Sequence, residues 1–114
     1  MGWKSNHRRI KPKYNPIPNA EERRHEQRLE KLPCIGCGRR GGVCHHTMLG
    51  FPAKRFRRDH RFQVPVCNDC HVGTRGIHGI GNEALWWESI GWSVEQAIGY
   101  ITGLWDESQR REAA

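Results

Sequence analysis

Long apolar runs are missing from this chain. None reaches the ~20 residues that a membrane-spanning helix needs, so no membrane partner is expected. No apolar segment of the kind a secretory leader carries follows the basic N-terminus. The expected compartment is therefore a reducing cytoplasm. Apolar residues are scarce, at 36% of the chain with a mean hydropathy of −0.83. One domain with a small core is what 114 such residues can build, and small cores need a staple. Internal repeats are absent, which excludes an array of modules. Acid is absent from residues 1–18, where Lys4, Arg8, Arg9, Lys11 and Lys13 stand unopposed and Pro12, Pro16 and Pro18 disfavour regular structure. This stretch reads as a disordered basic arm.

Cysteine and histidine are present in unusual order. Cys34-x-x-Cys37 and Cys67-x-x-Cys70 stand 29 residues apart. A two-residue spacer lets both sulfurs of a pair reach one ion, so two pairs supply the four corners of a structural Zn²⁺ site. Cys44, beside Val43, reads as a buried free thiol, with exchange for one of the four ligands as the minor alternative. A closed four-cysteine site needs no histidine. Yet His45 and His46 lie inside the loop that zinc closes, His71 follows Cys70 directly, and His78 comes soon after. Such histidines suit a second, open metal beside a free imidazole, held in place by the zinc frame. Strand alternation sends His45 and His46 to opposite faces, so serving one site requires a twist or bulge at the strand end. His7, His25 and His60 read as bystanders.

Charge is uneven. The net is +7; residues 33–79 carry eight bases against two acids, and residues 80–114 two bases against six acids. The basic field overlaps the Cys/His region and favours a polyanion over a small molecule as substrate. Lys54, Arg55, Arg57, Arg58 and Arg61 form a basic loop that reads as a phosphate-contacting DNA surface, with Arg75 as a further clamp. Asp59 reads as a local ion-pair partner for Arg57, Arg58 or Arg61.

The pattern predicts an α+β fold. Asn19 with Glu22 is a capping box opening a helix that Pro33 stops near Leu32, mostly solvated, with its last turn docked. Val43–Met48 and Gln63–Val66 read as short strands, and Cys67–Val72 as a turn or helix. Gly73, Gly76, Gly79 and Gly81 mark a flexible connection. Asn82 caps a helix bearing Leu85, Trp86 and Trp87 that Gly91 ends. Ser93 with Gln96 opens an amphipathic helix with Val94, Ala97, Ile98, Ile101, Leu104 and Trp105 on one stripe. The tryptophans read as packing residues rather than base-stacking ones. The domain is expected over residues 19–109, with 110–114 as a tail.

Taken together, Pro33-Cys34-Ile35-Gly36-Cys37, Val43-Cys44-His45-His46, Val64-Pro65-Val66-Cys67, Cys70-His71 and Ile77-His78-Gly79 resemble the HNH endonucleases. They are closest in pattern to the phage recombination-enhancement (Ref-like) nucleases. The resemblance covers roughly residues 19–105. It implies a zinc-stapled ββα-metal (His-Me) finger with flanking N- and C-terminal helices that hydrolyses DNA phosphodiesters. It implies His46 as general base, and His45 and His71, with His78 as third ligand, around Mg²⁺ or Mn²⁺; imidazoles also suit Zn²⁺ or Ni²⁺. A recombinase filament is a partner suggested by the resemblance alone. His45 stands where many relatives have Asp, Cys70 where many have His, and the middle Asn of the name has no counterpart. A zinc finger that binds DNA or assists recombination without cutting is the alternative, and a structural virion component a third.

Overall fold

The computed structural model describes residues 16–114. The basic arm up to residue 15, and His7 with it, lies outside the described residues. The elements are α1 (Ala20–Glu30), β1 (Val43–His46), β2 (Gln63–Val66), α2 (Asn68–Val72), α3 (Ile77–Ile80), α4 (Glu83–Ser89) and α5 (Val94–Ala113). The fold is therefore a small α+β arrangement of one two-stranded antiparallel sheet and helices. None of these helices is long and apolar enough to cross a membrane.

Local chemistry sets most boundaries. The Asn19 side chain accepts from the Glu22 amide at 2.8 Å, and Glu22 returns a bond to the Asn19 amide at 2.9 Å. Ser93 and Gln96 repeat that reciprocal cap at the start of α5. Each such cap contributes about 1 kcal/mol. α4 ends ahead of Gly91, whose φ of +90° is a turn that side-chain-bearing residues avoid. α5 runs on through residues 110–113, so the expected tail is helical.

β1 pairs with β2 in the register His45↔Val64 and His46↔Gln63. All of β2 is buried. Pro65 sits within it without loss, because its carbonyl accepts from Ile35 and no amide is needed there. Trp86, Trp87, Val64, Val66, Ala97 and Ile101 form the centre of the core. Trp92 packs against it and Trp105 meets the His25 ring edge-on, so four tryptophans serve packing. Leu85, expected beside them, faces solvent.

α1 is docked along its middle as well as its end. His25 and Leu29 are buried, Arg24 pairs with Glu112, and Arg28 donates to Ser108 Oγ and to the Leu104 carbonyl. Those partners all lie on α5, more than 70 positions away in sequence, so a solvated α1 was the natural expectation from its few apolar residues.

The glycine-rich 73–81 stretch is a tightly folded segment rather than a loose one. α3 rests so close on the preceding turn that a Cβ at Gly79 would collide with the Gly73 carbonyl oxygen. Its glycines permit close backbone approach, which in turn fixes His78.

Candidate metal centre and its cleft

Cys34 and Cys37 lie on a knuckle ahead of β1; Cys67 caps α2 and Cys70 lies in its first turn. The Cys67 sulfur accepts from the Cys70 amide. The four sulfurs lie within 4.8 Å of one another, close enough to hold a metal ion such as zinc. Cys37 Sγ and Cys67 Sγ are 3.7 Å apart. That is far beyond a disulfide and near the ~3.8 Å edge of a tetrahedron with Zn–S bonds of about 2.3 Å. The packing admits nothing larger: a Cβ on Gly36 would sit 2.9 Å from Cys70 Sγ. Arg39 donates to Cys37 and pulls its thiol down to about 6. Burial and the neighbouring cysteines drive Cys70 the other way. The quartet cannot ionise together without a cation between the sulfurs. Cys44 stands apart, half-buried, its thiol pushed up to about 12 by burial and by Glu26 and Glu30. It is a free thiol, not an exchangeable ligand.

A second cluster sits beside the first. His45, His71 and His78 offer ring nitrogens within 4.8 Å of one another, and His71 Nε2 lies 3.1 Å from His78 Nε2. The family resemblance implied these three as ligands, and β1, α2 and α3 bring their rings together. His71 is pushed down by burial and then by its two histidine neighbours, which favours the neutral, ligating form.

Glu83, which sequence reading missed, buttresses this cluster. Its carboxylate is buried and accepts from His45 Nε2 (2.9 Å), Thr47 Oγ1 (2.6 Å), the Met48 amide (2.7 Å) and Trp87 Nε1 (3.1 Å). Burial alone would raise its pKa; the bonds from His45, Thr47 and Met48 outweigh that and bring it to about 2. An ionised carboxylate holds the proton of His45 on Nε2 and leaves Nδ1 with the lone pair that a metal needs. Both Glu83 oxygens are used by this network, so Glu83 orients His45 and is not itself free to take an ion. Three imidazoles without a carboxylate suit an ion of the zinc–nickel kind better than oxygen-seeking Mg²⁺ or Mn²⁺. The only forewarning in sequence was an acid in the first turn of a helix, which usually signals dipole complementation alone.

Strand alternation is obeyed. His45 turns toward Glu83, His71 and His78, whereas His46 turns toward His60 and Glu26. The two still meet, because an open cleft of about 650 Å³ is bordered by His45, His46, His71, His78, Arg57 and Arg58. The cleft spans the strand, and no bulge is required. Burial, then the charges of His60, Arg58, His45 and Lys54, pushes His46 down to about 4, so its ring is neutral at neutral pH. His60 is no bystander: its Nδ1 lies 2.9 Å from His46 Nε2. His25 is buried against Ser108, away from the residues that border the cleft.

The six predicted DNA-contacting bases divide by environment. Arg57 and Arg58 are exposed on the cleft wall, and Arg55 and Arg75 are exposed elsewhere. Lys54 is half-buried and donates to the Thr47 carbonyl. Arg61 clasps the buried Asp59 carboxylate at 2.7 and 2.9 Å and also donates to the Ala53 carbonyl. Those two bases build the loop from inside.

No protein-family model, curated protein or solved structure matches the chain.

Proposed function

We propose that this chain is a metal-dependent DNA endonuclease, with His46 as general base and His45, His71 and His78 as holders of a catalytic divalent ion. The observation that carries this reading is the shared cleft. Three converging imidazoles, a fourth neutral imidazole outside their set, and two exposed arginines line one opening. A site built only to hold zinc has no use for that combination. The order β1, β2, α2, with histidines on β1 and α2, also resembles the ββα-metal finger that the sequence pattern suggests.

In this reading Arg57 and Arg58 hold backbone phosphates on either side of the scissile bond, positioning the duplex without reading its bases. His46 accepts a proton from the attacking water, as its depressed pKa keeps it ready to do at neutral pH. His45, oriented by Glu83, is joined by His71 and His78. These three imidazoles would hold the divalent ion, whose positive charge would offset the negative charge of the scissile phosphate and the leaving oxygen. The cysteine quartet holds the knuckle ahead of β1 against α2, and so the His45 strand near the His71 helix. A recombinase filament as partner and a phage setting remain part of the proposal through the sequence resemblance alone.

Plasmid nicking tests it. Zinc-loaded protein, supplied in turn with Zn²⁺, Ni²⁺, Mn²⁺ and Mg²⁺, is expected to relax supercoiled DNA with at least one ion. His46→Ala is expected to lower the rate by about 10²–10⁴-fold. Equal cutting by both proteins removes His46 from the role. DNA binding without cutting under every ion favours the binding-module alternative.

A further inference from the structure

We infer that His60 is a positioning residue that locks His46 into one tautomer, with the proton on Nε2 and the basic lone pair on Nδ1. The inference rests on the reading of His46 as base, but its structural half stands on the two hydrogen-bond contacts of the His60 ring. His60 is buried in the loop ahead of β2. Its Nε2 lies 2.7 Å from the Pro16 carbonyl oxygen. A carbonyl has no proton to give, so His60 Nε2 must donate. When the ring carries a single proton, that proton is the one on Nε2, and Nδ1 presents a lone pair.

That lone pair faces His46 Nε2 at 2.9 Å. Two lone pairs cannot share such a distance, so His46 Nε2 must carry a proton and donate it. The remaining nitrogen of His46, Nδ1, is thereby the unprotonated one. The ring planes cross at 76°, which lets one nitrogen of His46 address His60 while the rest of the ring borders the cleft. Glu26, Arg58, Lys54 and His45 are the charged or titratable groups nearest His46. Among the described residues none of them hydrogen-bonds to a ring nitrogen of His46, so the His60 contact is the one that selects the tautomer.

The same device operates one residue earlier. Glu83 takes the Nε2 proton of His45 just as His60 takes that of His46. Adjacent histidines thus present Nδ1 for different tasks, one toward a metal and one toward a proton. Bystander status for His60 would leave its two short contacts without consequence.

The experiment uses ¹⁵N-labelled full-length protein loaded with diamagnetic Zn²⁺ at pH 8. Long-range ¹H–¹⁵N correlation spectra report which ring nitrogen of His46 carries the proton, independently of any activity. The wild type is expected to show the Nε2–H form. His60→Ala is expected to shift His46 toward a mixture with Nδ1–H and to lower the nicking kcat by about 10- to 100-fold with little change in KM. His60→Asn places a carbonyl oxygen near the lost Nδ1 and is expected to restore both, which separates positioning from a folding defect. An Nδ1–H form in the wild type overturns the inference, as does an unchanged tautomer in His60→Ala. So does a metal ion found shared by Glu26, His46 and His60 and lost in Glu26→Gln. Failure of nicking in every variant, the wild type included, sinks the nuclease reading and leaves the tautomer result standing.

Discussion

At the scale of the residue, the most consequential side chain is Glu83. It receives four hydrogen bonds, from β1, from the two residues that follow that strand and from α4, and one of them fixes His45. Glu83→Gln keeps the shape but replaces an acceptor-only group with one that also donates. The ion at the histidine cluster is expected to bind about 10- to 100-fold more weakly, as loss of an orienting partner does elsewhere. Competition against a chromophoric chelator measures this, and the cysteine-bound equivalent serves as the internal control. Loss of both equivalents together contradicts a role confined to His45. His25 gives a second prediction at this scale. Burial, then Arg28, lowers its pKa to about 4 in the folded chain, against about 6.5 unfolded. Above pH 6.5 the residue is neutral in both states and contributes no pH dependence. Between 6.5 and 4 the unfolded chain binds the proton first, so stability falls by up to about 3 kcal/mol as pH drops. Guanidinium unfolding at pH 7.5 and 5 should show this loss in the wild type and a smaller one in His25→Gln.

At the scale of the element, the loop between the strands separates two kinds of arginine. Arg57 and Arg58 project from the cleft wall; Arg61 is consumed by Asp59, which is 3% exposed. Arg57→Ala and Arg58→Ala are expected to weaken DNA binding and to reduce the salt dependence by about one unit each, with unchanged melting temperature. Arg61→Ala is expected to destabilise the fold, since it strands a buried carboxylate. Fluorescence anisotropy across a salt series, beside thermal melts, distinguishes these patterns; identical behaviour of all three variants rules the division out. Sequence alone could not draw that line, because five bases in eight residues look equivalent until Asp59 and the stacked Phe51–Phe62 pair close the loop around them. α3 is the companion case. Four glycines read as slack, yet Gly73, Gly76 and Gly79 allow backbone contacts that any side chain would obstruct, and Gly81 turns the chain at a φ of +78°. Gly79→Ala should move α3, withdraw His78 and weaken the histidine-cluster ion, while the cysteine quartet keeps its zinc. Tight binding of both ions in that variant would show that the packing of α3 is not what places His78.

At the scale of the whole molecule, the cysteine quartet binds the knuckle ahead of β1 to α2, and the core is small. Removing the ion should therefore unfold the domain as well as inactivate it. Far-UV circular dichroism during titration with a strong chelator, and of Cys34→Ser, is expected to show cooperative loss of helix; an unchanged spectrum contradicts the staple. What was legible at this scale was whatever local spacing encodes. Paired cysteines two residues apart, the reciprocal caps at Asn19 and Ser93, and the stripe on α5 all depend on neighbours within a few positions. His45, His71 and His78 could be singled out because each stands next to or shortly after a motif. Glu83, His60 and Glu26 could not, because their partners lie 38, 14 and 20 positions away, at distances only the folded chain makes short.

The sharing of α2 between the two clusters has a temporal consequence. Cys70 and His71 are consecutive, so the second set of donors is positioned only once the first has closed. Loading is therefore expected to be ordered: a newly made chain starved of zinc should take up an ion at the histidine cluster far more weakly than one whose cysteine quartet is already filled.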